Sequence, residues 1–183
     1  MNIYVIAGPP GVGKSSNAVN FIPEHVPIVD QDLAGYQYKK QGFSDYKDLA
    51  SVSTNQKIRS HLFSGEDFAL ELNLGFQSHY DYLNGIVAFD RSNTIHLLLF
   101  FTDDIQLCLD RANLRFLSGG HEVKPEIIRE MYAATIPLFQ AYQELFSNVL
   151  LINVSNSQIE EVLANDNPLP NWIVENKLTQ YLA

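Results

Sequence analysis

Residues 3–15 read Ile3-Tyr4-Val5-Ile6-Ala7-Gly8-Pro9-Pro10-Gly11-Val12-Gly13-Lys14-Ser15, an apolar strand-length run that feeds directly into a glycine-rich loop. The loop fits the pattern G-x-x-x-x-G-K-[ST] in the setting that gives the pattern meaning, a strand before it and a helical stretch after it. Gly8, Gly11 and Gly13 let the backbone curl so that successive N–H groups face inward, and such a nest at a helix amino terminus attracts phosphate oxygens. The expected nucleotide-binding set is therefore Gly8, Pro9, Pro10, Gly11, Val12, Gly13, Lys14, Ser15 and Ser16. In it the Lys14 ammonium would reach the β- and γ-phosphates, and the Ser15 hydroxyl would join the ligands of Mg²⁺. No Asn-Lys-x-Asp string occurs, and the nearest, Asn176-Lys177-Leu178-Thr179, lacks the acid, so adenine is favoured over guanine. ATP with Mg²⁺ is the expected cofactor pair.

Outward from the loop, apolar strand-length runs at residues 3–7, 27–29, 68–72, 95–101 and 149–154 alternate with helix-length amphipathic stretches. That alternation predicts an α/β fold with a parallel sheet covered by helices on both faces, which explains why 95–101 is almost continuously apolar. Ser51 or Ser53 is expected to cap the helical stretch that ends near Leu62, and Pro125 suits a first helical turn. Pro137 predicts a kink or break within the long pattern over 126–146. Beyond Val154, Asp166-Asn167-Pro168-Leu169-Pro170 separates two short helical patterns, so residues 156–183 read as a helical appendage on one domain spanning 1–183.

Composition narrows the function classes. Twelve basic residues against 21 acidic give a net charge of −9, which argues against a broad nucleic-acid surface while leaving room for a local cationic pocket. The single Cys108 cannot form an internal disulfide. No basic leader precedes Ile3, and 95–101 is far short of the ~20 residues a membrane-spanning helix needs, so a cytoplasmic protein without a membrane contact is expected.

Further along the chain, chemistry-bearing residues fall where parallel sheets place ligands, at the carboxyl ends of strands. Asp30 and Asp32 follow the second run and could divide two roles, taking the proton of an acceptor hydroxyl and holding Mg²⁺ through water; Asp32 is the preferred base and Asp30 a candidate substrate ligand, and either could instead cap the next helix. Glu71 stands inside an otherwise apolar strand, where a carboxylate is costly to bury unless paired, so it is a candidate for binding the acceptor. Asp103 and Asp104 close the fourth run and read either as a Walker B acid or as a helix cap. Arg111 and Arg115, at i and i+4, share a helix face and could clamp phosphate, with Arg129 a third charge. The flexible Ser118-Gly119-Gly120-His121 stretch suggests a lid over about 115–125, with His121 contacting phosphate or only capping it. Tyr36, Tyr38, Phe43, Tyr46, Tyr80 and Tyr82 crowd the interval where an acceptor pocket would lie.

The ordered set of Gly8 to Ser15, Asp32, Phe68-Ala69-Leu70-Glu71, Arg111 and Arg115, and Gly119-Gly120-His121-Glu122-Val123 resembles the zeta toxin family of P-loop kinases over about residues 2–154. The resemblance implies a five-stranded sheet of order 2-3-1-4-5 and transfer of phosphate from ATP to a sugar hydroxyl of UDP-N-acetylglucosamine or a related metabolite. It further implies Lys14 and Ser15 serving ATP and Mg²⁺, Asp32 as general base, Glu71 orienting the acceptor, Arg111 with Arg115 or Arg129 neutralising phosphate, and an antitoxin-like protein partner. Two positions depart from the family pattern: Leu72-Asn73 follow the strand glutamate where threonine is usual, and Met131 precedes Tyr132 where a basic residue is frequent. From another class, a nucleotide-dependent switch that only hydrolyses ATP fits the same loop, and it predicts that Asp32→Asn spares hydrolysis.

Overall fold

Strand β1 (Asn2–Ala7) alternates its side chains between two hydrophobic cores, with Ile3 and Val5 on one face of the sheet and Ile6 on the other, all fully buried. The computed structural model describes residues 1–156 and 158–182, and it continues β1 through the glycine-rich loop into α1 (Lys14–Asn17). That helix lasts one turn before a 3-10 turn, Ala18–Asn20. Then follow β2 (Ile28–Val29), α2 (Gln31–Lys40), α3 (Tyr46–Ser64), β3 (Phe68–Glu71), α4 (Gln77–Phe89) and β4 (Thr94–Phe101). The chain ends with α5 (Ile105–Leu117), α6 (Pro125–Ala141), β5 (Asn148–Val154), β6 (Ile159–Glu161) and α7 (Asn171–Glu175).

The strands form one sheet in the order β2-β3-β1-β4-β5-β6. The expected order of the first five strands is present, and these five pair in parallel. In β4, Leu97, Leu99 and Phe101 enter the core covered by α4 and α6, while Leu98 and Phe100 enter the core covered by α5. Burial on both faces is the reason this segment is apolar throughout. Val5 lies between Leu70 and Leu97 in register, so β1 is central and the loop that follows it emerges from the middle of the sheet.

The structure adds a sixth strand to the five expected. β6 pairs antiparallel with β5, Val154 opposite Ile159 and Ile152 opposite Glu161, inside the stretch expected to be helical. Three residues at a charged, half-exposed edge are too short to show an alternating pattern. Among the described residues, the remainder of that stretch holds only α7 and the 3-10 turn Thr179–Tyr181, with Trp172 and Ile173 buried in the larger core. Ser157 and Ala183, both in this expected appendage, lie outside the described residues.

Two helix boundaries also differ. α3 begins at Tyr46, which leaves Ser51 and Ser53 inside it, Ser53 Oγ donating to Ala50 O at 3.1 Å. Its buried stripe, Ala50, Thr54 and Ile58, starts upstream of both serines and sets the earlier start. Of the kink or break expected at Pro137, the break does not occur, since α6 runs through it. A proline inside a helix costs about 3 kcal/mol. Here the burial of Met131, Ile136 and Phe139 on both sides of it keeps the helix seated on the sheet. Among the described residues, no helix is long and apolar enough to cross a membrane.

Candidate active site

The glycine-rich loop is pressed onto β4 and α5. A Cβ on Gly8 (φ +133°) would lie 2.2 Å from Phe100 O, and one on Gly11 (φ +82°) would lie 2.1 Å from Cys108 O. Only glycine allows both the positive φ and this approach. The loop borders a cavity of about 530 Å³ lined on one side by Pro10, Gly11, Gly13, Lys14, Ser15 and Ser16. Gly8, Pro9 and Val12, expected with them, are not lining residues; the Val12 side chain is fully buried in the α5 core. Lys14 turns inward, 4% exposed, its Nζ donating to Gly8 O at 2.9 Å, Pro9 O at 3.2 Å and Asn73 Oδ1 at 2.8 Å. Burial pulls its pKa below the ordinary lysine value, with the nearby Glu71 charge acting the other way.

Two acids line the same cavity, Glu71 and Asp32. Glu71, the last residue of β3, is half-buried; its Oε1 accepts from Ser15 Oγ at 3.1 Å and lies 3.9 Å from Lys14 Nζ, while Oε2 is buried with no partner among the described residues. Burial raises its pKa above the ordinary glutamate value, and the Lys14 charge moderates the shift. Asp32, in the first turn of α2, lines the same cavity, and its carboxylate makes no hydrogen bond to another described residue. Asp30, expected as a substrate ligand, is the cap of α2: its Oδ1 accepts from Leu33 N at 3.0 Å, and burial raises its pKa. It borders an adjoining cavity of about 290 Å³ and not the main one.

Arg111 and Arg115 both reach the main cavity, as does His121. Arg111 is tethered, Nη1 donating to Val12 O at 3.2 Å and Nη2 to Ser155 O at 3.3 Å, so it also links the loop to the end of β5. Arg115 is exposed, and Gly120 N folds back onto its carbonyl at 2.9 Å, which sets the start of the 118–121 stretch against α5. Arg129 is exposed on α6 and is not a lining residue of the cavity. Asp32 and His121 also line a third cavity of about 240 Å³ with Tyr36, Tyr46, Lys39 and Lys47. The other aromatics are elsewhere: Tyr38 packs on Phe43, Tyr80 is in the core, and Tyr82 lines a separate cavity of about 180 Å³ behind Glu71.

No protein-family model matches the sequence, and no curated protein matches it. Solved structures do match. AvrRxo1-ORF1:-ORF2 with ATP superposes with a TM-score of 0.68 at 12% identity, over 97% of this chain and 63% of that one. The PezAT chromosomal toxin–antitoxin system of the human pathogen Streptococcus pneumoniae gives a TM-score of 0.60 at 13% identity, over 100% of this chain and 77% of that one. The Pnkp1/Rnl/Hen1 RNA repair complex gives 0.54 at 18% identity, over 80% and 46% respectively. The chain shares the fold of these structures. At these identities the likeness is one of fold, and this chain spans somewhat under two thirds of the AvrRxo1-ORF1:-ORF2 chain and under half of the RNA repair chain.

Within this fold, the two readings of Asp103 and Asp104 are resolved by their partners. Asp104 Oδ1 accepts from Gln106 N at 2.9 Å and Leu107 N at 3.3 Å and caps α5. Asp103 accepts from Asn171 N at 2.9 Å and Trp172 N at 2.7 Å at the start of α7. Neither lines the cavity, so its carboxylates come from β3 and α2. Asn73 and Met131 do line it, and neither was a candidate from residue type. The available signal was their departure from the family pattern.

Proposed function

We propose that this chain is an ATP-dependent phosphotransferase that moves the terminal phosphoryl group of ATP to a hydroxyl of a small-molecule acceptor of the sugar-nucleotide kind. The observation that supports this reading is the convergence of the glycine-rich loop, Asp32, Glu71, Arg111 and Arg115 on one cavity of about 530 Å³. The loop would hold the phosphates, and the acceptor would enter along the cleft lined by Tyr36 and Tyr46. In the transfer, the acceptor oxygen forms a bond to the γ-phosphorus as the bond from that phosphorus to the bridging oxygen breaks; ADP leaves, and the hydroxyl proton goes to Asp32. Such chemistry asks mainly for positioning and charge neutralisation, supplied here by Lys14, Arg111 and Arg115.

The hydroxyl of Ser15 against Glu71 Oε1, with Oε2 buried and unpartnered, is an all-oxygen donor set that suits Mg²⁺. Ser15 and Glu71 would hold the ion, which when bound would neutralise phosphate charge. The segment 115–125 would close over the nucleotide and exclude water. A protein partner of the antitoxin kind belongs to the same reading, supported by the likeness to PezAT. The test is incubation of the protein with γ-labelled ATP and a metabolite extract. Label on an organic compound is expected, and label recovered only as free phosphate would remove the transferase reading in favour of hydrolysis.

A further inference from the structure

An ammonium has three donors and no more. In Lys14 all three are taken by oxygens that pull the side chain back into the loop: Gly8 O, Pro9 O and Asn73 Oδ1. At 4% exposure the nitrogen has little water to exchange with. Glu71 Oε1, at 3.9 Å, adds charge without taking a short hydrogen bond. A phosphate in the cavity can therefore be bonded by Lys14 only if one of the three oxygens gives up its donor.

The three are not equally free to do so. Gly8 O and Pro9 O are backbone, and at Gly8 the loop is packed against Phe100 with no space for even a methyl group. Asn73 Oδ1 sits on a side chain that can rotate away, and Asn73 lines the cavity a phosphate would enter. Its backbone is held independently. Asn73 O accepts from Gly8 N at 3.3 Å; the next residue, Leu74, is fully buried at φ +53°, and Gly75 has only 2.6 Å between its Cβ position and Met131 Cβ. A bulky residue at positive φ persists only where its surroundings enforce it, so the loop that presents Asn73 is rigid while its amide can turn. Because Lys14 has only donors, the amide atom facing it is the oxygen.

We infer that Asn73 is a positioning residue, a latch that holds the Lys14 ammonium inside the loop and yields it when the β- and γ-phosphates arrive. The inference rests on the nucleotide-binding part of the proposed function. It adds that binding triphosphate costs the Asn73–Lys14 bond, so resting order at Lys14 is exchanged against nucleotide affinity.

Calorimetric titration of the full chain with ATP and Mg²⁺ tests it, using wild type, Asn73→Leu, Lys14→Ala and the double variant. Leucine keeps the bulk of asparagine and removes the acceptor; Asn73→Ala repeats the measurement so that the result does not hang on one variant folding. Asn73→Leu is expected to bind ATP about tenfold tighter, the scale of a single hydrogen bond to a charged group. The double variant is expected to bind as Lys14→Ala alone, since the latch acts only through that lysine. Unchanged or weaker binding by both Asn73 variants, or the same gain without Lys14, overturns the latch while leaving the nucleotide site in place. No heat of binding from wild type overturns the nucleotide reading, and the latch with it.

Discussion

Ser15 Oγ donates to Glu71 Oε1 at 3.1 Å, which joins the glycine-rich loop to the end of β3 through one hydroxyl and one carboxylate. Parallel pairing of β1 with β3, Ile6 opposite Glu71, brings the two residues together. The Oε2 of the same carboxylate is buried with no partner among the described residues, which leaves it open to a cation or a donor that joins it when the site is filled.

Glu71→Gln separates the chemistry from the burial. Phosphoryl transfer is expected to fall roughly hundredfold, with a higher Mg²⁺ requirement, because one preorganised charged group is removed. Stability should move the other way with pH. The folded state raises the pKa of Glu71, so its contribution is full below the unfolded value of 4.5 and is lost as pH rises through the folded value. Urea midpoints of wild type and variant at about pH 5 and about pH 7 check this, the variant gaining on wild type at the higher pH.

Gly11→Ala and Gly42→Ala form a matched pair. Both glycines have positive φ, +82° and +90°, but a Cβ at Gly11 meets Cys108 O at 2.1 Å whereas Gly42 has nothing within 4 Å. Gly42→Ala is expected to cost about 1 kcal/mol, the backbone contribution alone. Gly11→Ala is expected to cost upwards of about 4 kcal/mol and to abolish nucleotide binding, as read by thermal melts with and without ATP.

Asp103→Ala tests the capping assignment. Loss of the bonds to Asn171 N and Trp172 N should lower stability by about 1 kcal/mol. Mg²⁺ dependence of transfer should be unchanged, which a Walker B role would not allow; titrating activity against Mg²⁺ in the variant decides it.

Arg115→Ala and Arg129→Ala distinguish the two exposed arginines. Arg115 lines the cavity and Arg129 does not. Removing Arg115 is expected to reduce turnover roughly hundredfold at saturating ATP, whereas Arg129→Ala should stay near wild type, in single-turnover transfer assays.

Much of the architecture is legible in residues that act locally. The strand runs declare themselves because burial on both faces demands apolar side chains over several consecutive positions, as in β4. The loop is legible because φ above zero at Gly8 and Gly11 admits one residue type. β6 was not legible: Ile159–Glu161 is strand only because the exposed edge of β5 lies beside it. The passage of α6 through Pro137 was equally hidden, since the local preference was outweighed by core contacts from distant segments.

The candidate site divides in the same way. Residue type and spacing alone marked Asp30, Asp32, Glu71, Asp103, Asp104 and the arginines as groups able to do chemistry, because charge and helical periodicity are properties of the chain itself. Which carboxylates face the cavity and which are consumed as caps was decided by tertiary structure. A cap needs free N–H groups within reach, and for Asp103 those belong to Asn171 and Trp172, far away in sequence and adjacent only in the fold. The bond from Lys14 to Asn73 spans 59 positions for the same reason, and it exists because β1 and β3 lie side by side.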